Sequence, residues 1–432
     1  MKILENKLLQ EKYYVETLDN GLKVILIPKN DFYTSYAILS VKYGSKDTEF
    51  IPYGKTEMVK SPEGIAHFLE HKLFECDEGV DVTNLFSNLG ATVNAFTTID
   101  QTAYLFSTTS DFDKNLELLL DFVQNPYFTE EGIIRERGII EQELLMYLDN
   151  PSNRLYYGIL QCFYQNNKIR NEIGGTVESI NEIDKEWLYT CYETFYQPSN
   201  MTLVLCGRFD LEKTLELVKN NQSSKNFRKA LPIIRSTYTE PLEVYQKYSS
   251  ISMDVKIPRV ATGIKFIYDA KDAKDSYKKF ISMLMLASLY FDESSLYYEE
   301  MLQKGIINNS FGYSINYSKN YGYFYVELDT KHPDAFINKL KEVFDIIKTS
   351  DIDNENFESM KRTFIAGFIS SFNSVEGIAD MILYADNEDI DIFDKGEIRF
   401  NITKEDVLNV RKMFDTTQLA TFIIYPKENT QE

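Results

Sequence analysis

Two of the chain's three histidines fall within five residues, in His67-Phe68-Leu69-Glu70-His71. On an α-helix, residues i and i+4 share a face, so His67 and His71 can offer ring nitrogens to one divalent cation. Glu70 lies beside them, placed to take a proton from a water that such a cation acidifies to a pKa near about 7. H-x-x-E-H reverses the better-known H-E-x-x-H zinc spacing. Taken alone, the same five residues also suit an ordinary exposed helix face that holds nothing.

A zinc site needs a third protein ligand. The segment Arg135-Glu136-Arg137-Gly138-Ile139-Ile140-Glu141-Gln142-Glu143 has a helical pattern. Seven residues make nearly two turns, so Glu136 and Glu143 share a face, with Ile139 and Ile140 between them. A face mixing apolar residues and carboxylates is odd for a purely solvated surface. Glu141 competes with Glu143 for the ligand position, and local physics does not separate them.

Both segments need helices to present them. Ser61-Pro62-Glu63 supplies an N-cap, a first-turn proline and an early acid for the first, and Gly79 marks its stop. Thr129-Glu130-Glu131 opens the second, which ends before Pro151.

The surrounding pattern repeats with a long period. Gly21–Ile27 and Gly263–Tyr268 are Gly-led, β-branched strands, followed by apolar helices around Ile65–Phe74 and Phe280–Tyr290. Hairpin-like pairs follow, Leu89–Phe96 with Thr102–Phe106 and Asn309–Ile315 with Gly322–Val326. Amphipathic helices come next at Phe112–Gln124 and Asp334–Lys348, then longer ones at Glu130–Leu148 and Asn354–Phe372. Each half closes with a helix and a strand: Thr190–Phe195 into Met201–Cys206, and Val407–Phe414 into Leu419–Ile424. The expected fold is α+β, with two related domains, each an antiparallel-rich sheet with helices packed on one face. The polar run Asn220–Asn226 reads as a linker. The divisions are a metal-bearing domain at 1–219, a linker at 220–245 and a repeated, metal-free domain at 246–432.

Composition sets the wider limits. Hydrophobic residues make up 44% of 432, enough for real cores. No apolar run approaches the about 20 residues that span a bilayer, and charges interrupt the N-terminus before any secretory core. The four cysteines form no C-x-x-C pair, which fits free thiols, packing roles and a cytoplasmic location. A net charge of −20 argues against phosphate backbones, so no nucleic-acid partner is expected, and the acid excess serves solubility.

The chain resembles the pitrilysin, insulysin and mitochondrial processing peptidase family, the inverzincins, in its half-length bacterial form. Gly64–His71, Gly90–Thr97, Gly138–Glu143 followed by Met146, Asp149 and Pro151, and Phe195–Met201 carry the likeness. The second half matches only through the repeated architecture.

This resemblance implies a zinc metalloendopeptidase with one Zn2+ per chain. His67, His71 and Glu143 would be its ligands, which decides against Glu141, and Glu70 its general base. Glu136 would orient or tune the site from behind the ligands. Asn94, Ala95 and Phe96 would lie on an edge strand to which peptide substrate adds through main-chain hydrogen bonds. Read locally, Asn94 is equally a turn or bulge residue.

Tyr313 matches a substrate-contacting tyrosine. The family's partner arginine, seven residues earlier, is replaced by Ile306. The helix at Phe280–Tyr290 carries no His or Glu, and His332 before Pro333 reads as a surface residue. The expectation is therefore a metal-bearing subunit acting on short or unfolded peptides. A related subunit in a heterodimer would supply the missing contacts; the alternatives are that another cation replaces that arginine or that the contact is dispensable, the chain then pairing as a homodimer. The alternative is a non-catalytic peptide-binding or scaffold subunit of such a peptidase.

Overall fold

Alternating β-branched and aromatic residues build two sheets in the computed structural model, which describes residues 1–76, 81–319 and 321–427. The first sheet uses β1 (Lys2–Asn6), β2 (Glu11–Thr17), β3 (Lys23–Pro28) and β4 (Ser35–Val41). After a small ribbon of β5 (Glu49–Phe50) and β6 (Val59–Lys60), it adds β7 (Ala91–Thr97), β8 (Thr102–Thr108) and β9 (Met201–Gly207). Its order is β1-β2-β3-β9-β4-β8-β7, antiparallel throughout except for β3 beside β9.

The second sheet comprises β10 (Tyr248–Met253), β11 (Arg259–Lys265), β12 (Gly312–Tyr317), β13 (Gly322–Asp329) and β14 (Leu419–Pro426). Its order is β10-β14-β11-β13-β12, with β10 and β14 parallel and the rest antiparallel. Strand for strand, this reproduces β3-β9-β4-β8-β7.

The repeat is real, but one pairing of its parts shifts. The counterpart of β3 is β10, and the Gly263 strand answers to β4. Gly263 sits mid-strand in β11, where a Cβ would come within 2.0 Å of the Phe324 carbonyl oxygen. Its glycine serves close strand approach rather than leading the strand, which misdirected the sequence pattern.

In the first unit, Val24, Leu26, Ala37, Leu39, Tyr104, Phe106, Leu203 and Leu205 turn one sheet face into the main core. The helices α1 (Ile65–Leu73), α2 (Val82–Asn88), α3 (Phe112–Val123) and α4 (Glu130–Asp149) contribute to that core. From α1 come Ile65, Ala66, Phe68, Leu69 and Leu73, spaced to bury one stripe and leave His67 and His71 on another. In the second unit, helices Ala273–Phe291 and Pro333–Thr349 close over Phe324 through Phe291 and Phe344. This helical layer on one face is the expected arrangement. No helix among the described residues is long and apolar enough to cross a membrane.

The opposite face of each sheet is covered by a helix from the other half of the sequence. Val375–Asn387 lies on β4 and β9, where Tyr36 donates to Asp380 (3.3 Å), Ser107 to Glu376 (3.2 Å) and Thr202 to Asp386 (3.1 Å). In the second unit, α5 (Pro151–Phe163) packs on β14 and β11, and Tyr164 just beyond it donates to the Gly322 carbonyl (2.7 Å). The two units are accordingly discontinuous. One holds Met1–Leu145, Glu172–Thr237 and Ile369–Phe393; the other holds Met146–Asn171, Tyr238–Phe368 and the chain from Asp394.

The stretch 220–245, expected as a linker, differs in detail. Helix Leu211–Ser224 runs through its start, with Asn221 donating to Asp121 (2.8 Å) on α3 and Gln222 to Gln124 (2.7 Å) at its C-cap. Polar side chains there make packing contacts instead of marking a break. Further on, Arg235 reaches Asp47 (2.8 Å), and Glu240 accepts the backbone N–H groups of Gln165, Asn166 and Asn167.

The start of α1 is also different from expectation. Ser61 does not cap it; its N–H and hydroxyl both go to the Thr48 carbonyl. The N-cap is Gly64 at φ +87°, and a Cβ there would stand 2.2 Å from the Gly174 carbonyl oxygen. Left-handed backbone and close approach both demand glycine. Gly64→Ala is expected to destabilise the first unit by about 2–3 kcal/mol, read as a lowered urea midpoint. The expected stop at Gly79 lies outside the described residues; α1 ends at Leu73.

Candidate metal centre

The inner stripe of α1 is apolar, so its other side turns His67 and His71 toward α4. There Glu136 and Glu143 face back, anchored by buried Ile133, Ile140 and Leu144. Ile140 lies buried between the carboxylates, whereas Ile139, expected on the same face, is exposed.

The Nε2 atoms of His67 and His71 lie 3.8 and 3.7 Å from the same oxygen, Glu143 Oε2. Among the described residues, His67, His71 and Glu143 form the one group of three such side chains whose donor atoms all fall within 4.8 Å of one another. Ligand atoms around a tetrahedral ion with bonds of about 2.0–2.1 Å stand roughly 3.3 Å apart, so this set fits a zinc-sized cation.

His71 Nδ1 lies 2.9 Å from Glu136 Oε1. With its proton on Nδ1, the ring presents a lone pair at Nε2, toward Glu143. His67 Nδ1 is buried without a hydrogen-bond partner among the described residues.

Burial, helped by the neighbouring His71, pushes the His67 pKa down to about 4. The ring is thus neutral near pH 7, the form that binds a metal. Burial also disfavours the His71 cation. The hydrogen bond and charge of Glu136, with the charges of Glu70 and Glu143, outweigh it and hold His71 above its ordinary value. Glu70 is raised above the usual carboxylate range by burial, against the opposing hydrogen bond from Thr97.

That bond, from Thr97 Oγ1 to Glu70 Oε2 at 2.5 Å, was not marked by the sequence. Thr97 lies 27 positions from Glu70, and only the β7–β8 hairpin brings it there. A cavity of about 580 Å3 opens beside Glu70, His71 and Glu136, bounded by Val93, Asn94 and Ala95 of β7.

β7 is the terminal strand of its sheet, paired on one side with β8. Asn94 pairs in unbroken register with Leu105, so it is neither turn nor bulge. Phe96, on the same strand, pairs with Ala103. Tyr313 stands on β12, the edge of the second sheet, and donates its hydroxyl to Asp292 (2.6 Å), with Ser288 at 3.1 Å. His332 is exposed and precedes helix Pro333–Thr349. Cys162, Cys191 and Cys206 are buried free thiols.

Comparison with known proteins gives the kinship of the chain. The family profile described as Insulinase (Peptidase family M16) matches residues 50–177, the region of both metal-facing helices. The profile described as Peptidase M16 inactive domain matches residues 182–364. The Bacillus subtilis (strain 168) protein named Uncharacterized zinc protease YmfH is 41% identical over 411 residues, 95% of either chain. Mitochondrial-processing peptidase subunit beta of Bos taurus is 32% identical over 160 residues, 36% of this chain and 33% of that protein. The solved structure of an M16-like peptidase from Alicyclobacillus acidocaldarius matches at a TM-score of 0.91 and 31% identity, over 98% of this chain and all of that one.

Proposed function

Since the chain belongs to the M16 peptidase family, we propose that it is a zinc-dependent endopeptidase that hydrolyses short or unfolded peptides, with one Zn2+ held by His67, His71 and Glu143. The observation that carries this reading is the convergence of two imidazole nitrogens on one carboxylate oxygen with Glu70 beside them. A zinc ion bound there supplies Lewis acidity, polarising a peptide carbonyl and acidifying water.

Glu70 takes the proton of the attacking water and hands it to the leaving amine, for which burial suits it by raising its proton affinity. Glu136 holds His71 in the ligating tautomer. The open edge of β7 at Asn94, Ala95 and Phe96 aligns the substrate as an added strand, which favours extended, unfolded chains. The buried free thiols of Cys162, Cys191 and Cys206 support a reducing, cytoplasmic setting.

Metal analysis of the purified chain, with a quenched-fluorescent peptide assay, tests the reading. Close to one zinc per chain is expected, with cleavage that a chelator stops and added zinc restores. A chain that binds no zinc would be the non-catalytic relative instead.

The engagement of Tyr313 by Asp292, with Ile306 where an arginine would stand, favours a further element. A related subunit supplies part of the substrate contact. Co-expression with such a subunit should then raise turnover. Full activity of the chain isolated alone as a monomer would remove the partner.

A further inference from the structure

We propose that Thr97 is a positioning residue that fixes the Glu70 carboxylate so that only one of its oxygens meets the reacting water; this rests on the peptidase reading above. A carboxylate that can rotate offers either oxygen, and each turn away from the water loses a productive arrangement. Here Glu70 Oε2 is taken by the Thr97 hydroxyl at 2.5 Å. Oε1 is left for proton transfer.

The direction of that bond follows from counting hydrogens. The nearest other hydroxyl to Thr97, Thr102 at 3.4 Å, gives its own proton to the Tyr43 carbonyl (2.9 Å). An ionised carboxylate has no proton to give, so Thr97 must be the donor.

Thr97 is itself held firmly. It is the last residue of β7, paired with Thr102 at the closed end of the hairpin. Thr98 and Gln101 lock the turn, with Thr98 N–H donating to the Gln101 carbonyl (2.7 Å) and Gln101 N–H to Thr98 Oγ1 (3.1 Å). Two residues along β8 from Thr102, Tyr104 shares a buried hydroxyl pair with Tyr196, 2.8 Å apart. A hydroxyl on such a base lacks the freedom to follow a rotating carboxylate, which is what orienting a catalytic base requires. The same strand carries the open edge at Asn94–Phe96, so one element aligns both the peptide and the base.

The test uses the full chain loaded with zinc and a quenched-fluorescent peptide. Thr97→Val keeps the shape and removes the hydroxyl; Thr97→Ser keeps the hydroxyl. For Thr97→Val, kcat is expected to fall by about tenfold to a hundredfold, the range for a lost hydrogen bond to a charged group. KM should stay within about twofold and zinc content unchanged. Thr97→Ser should stay within about threefold of the parent kcat.

The inference is overturned if Thr97→Val turns over normally, if its loss appears in KM or zinc content instead, or if Thr97→Ser falls as far. Should the valine variant not fold, Thr97→Ala read against Thr97→Ser decides in the same way. A parent chain that holds zinc but cleaves nothing sinks the peptidase reading and this inference with it. An active parent with an equally active Thr97→Val variant sinks this inference alone.

Discussion

Glu70→Gln leaves zinc binding intact and lowers peptide cleavage by about two to four orders of magnitude, the usual range for losing general acid–base catalysis. The substitution is nearly isosteric. Its side-chain oxygen still accepts from Thr97, so the packing of α1 against the hairpin is kept. What disappears is the ability to take a proton from water and return it to the amine. Glu70 contacts no cation in the proposed arrangement, so inductively coupled plasma analysis should still find about one zinc per chain. Substantial hydrolysis by the variant would remove Glu70 from the mechanism. Loss of zinc together with activity would make Glu70 a ligand or a support of one.

The second large effect separates two neighbouring carboxylates. Glu143→Gln should weaken zinc binding by at least about a hundredfold, because a neutral amide replaces one of the three proposed ligands. Total zinc binding energies are on the order of 10–16 kcal/mol in small zinc-dependent domains, so one ligand in three accounts for roughly 3 kcal/mol or more. Glu141→Gln should change affinity by less than about threefold, since Glu143 Oε2 is the atom near both rings. Competition with a chelating dye measures both constants. Equal losses for the two variants would mean that α4 presents a different face to the metal than the geometry implies.

The clustering of the candidate metal-binding side chains was largely legible because helical spacing is local. His67, Glu70 and His71 follow from i, i+3 and i+4 on α1, and Glu136 with Glu143 from two turns of α4. Choosing Glu143 over Glu141 needed either kinship or a tertiary contact. Thr97 carries no sequence signal, because its partner is 27 residues away and a threonine at a strand end is ordinary.

The fold followed the same rule. Long amphipathic helices and the β7–β8 hairpin were readable from periodicity. Two buried helices were not. In sequence Pro151 marks only a stop for α4, yet Asn150 caps the next helix, accepting from Ser152 N–H (2.9 Å), with Pro151 in its first turn. Ser374 likewise caps Val375–Asn387 by accepting from Gly377 N–H (2.9 Å). Both signals are ordinary caps, but each helix covers a sheet built from distant sequence, where repeat matching does not look.

The reciprocal placement of those two helices bears on how the protein can be divided. Each half of the sequence owns a sheet but lends out the cover for one side of the other's. A gene split near residue 240 would yield two fragments, each with an apolar wall of strand side chains bare to water, such as Ile38 and Val204 on one and Phe422 on the other. Neither fragment meets the requirement of an autonomous folding unit. Insertion, fusion or truncation of this chain should therefore respect five segment boundaries instead of one.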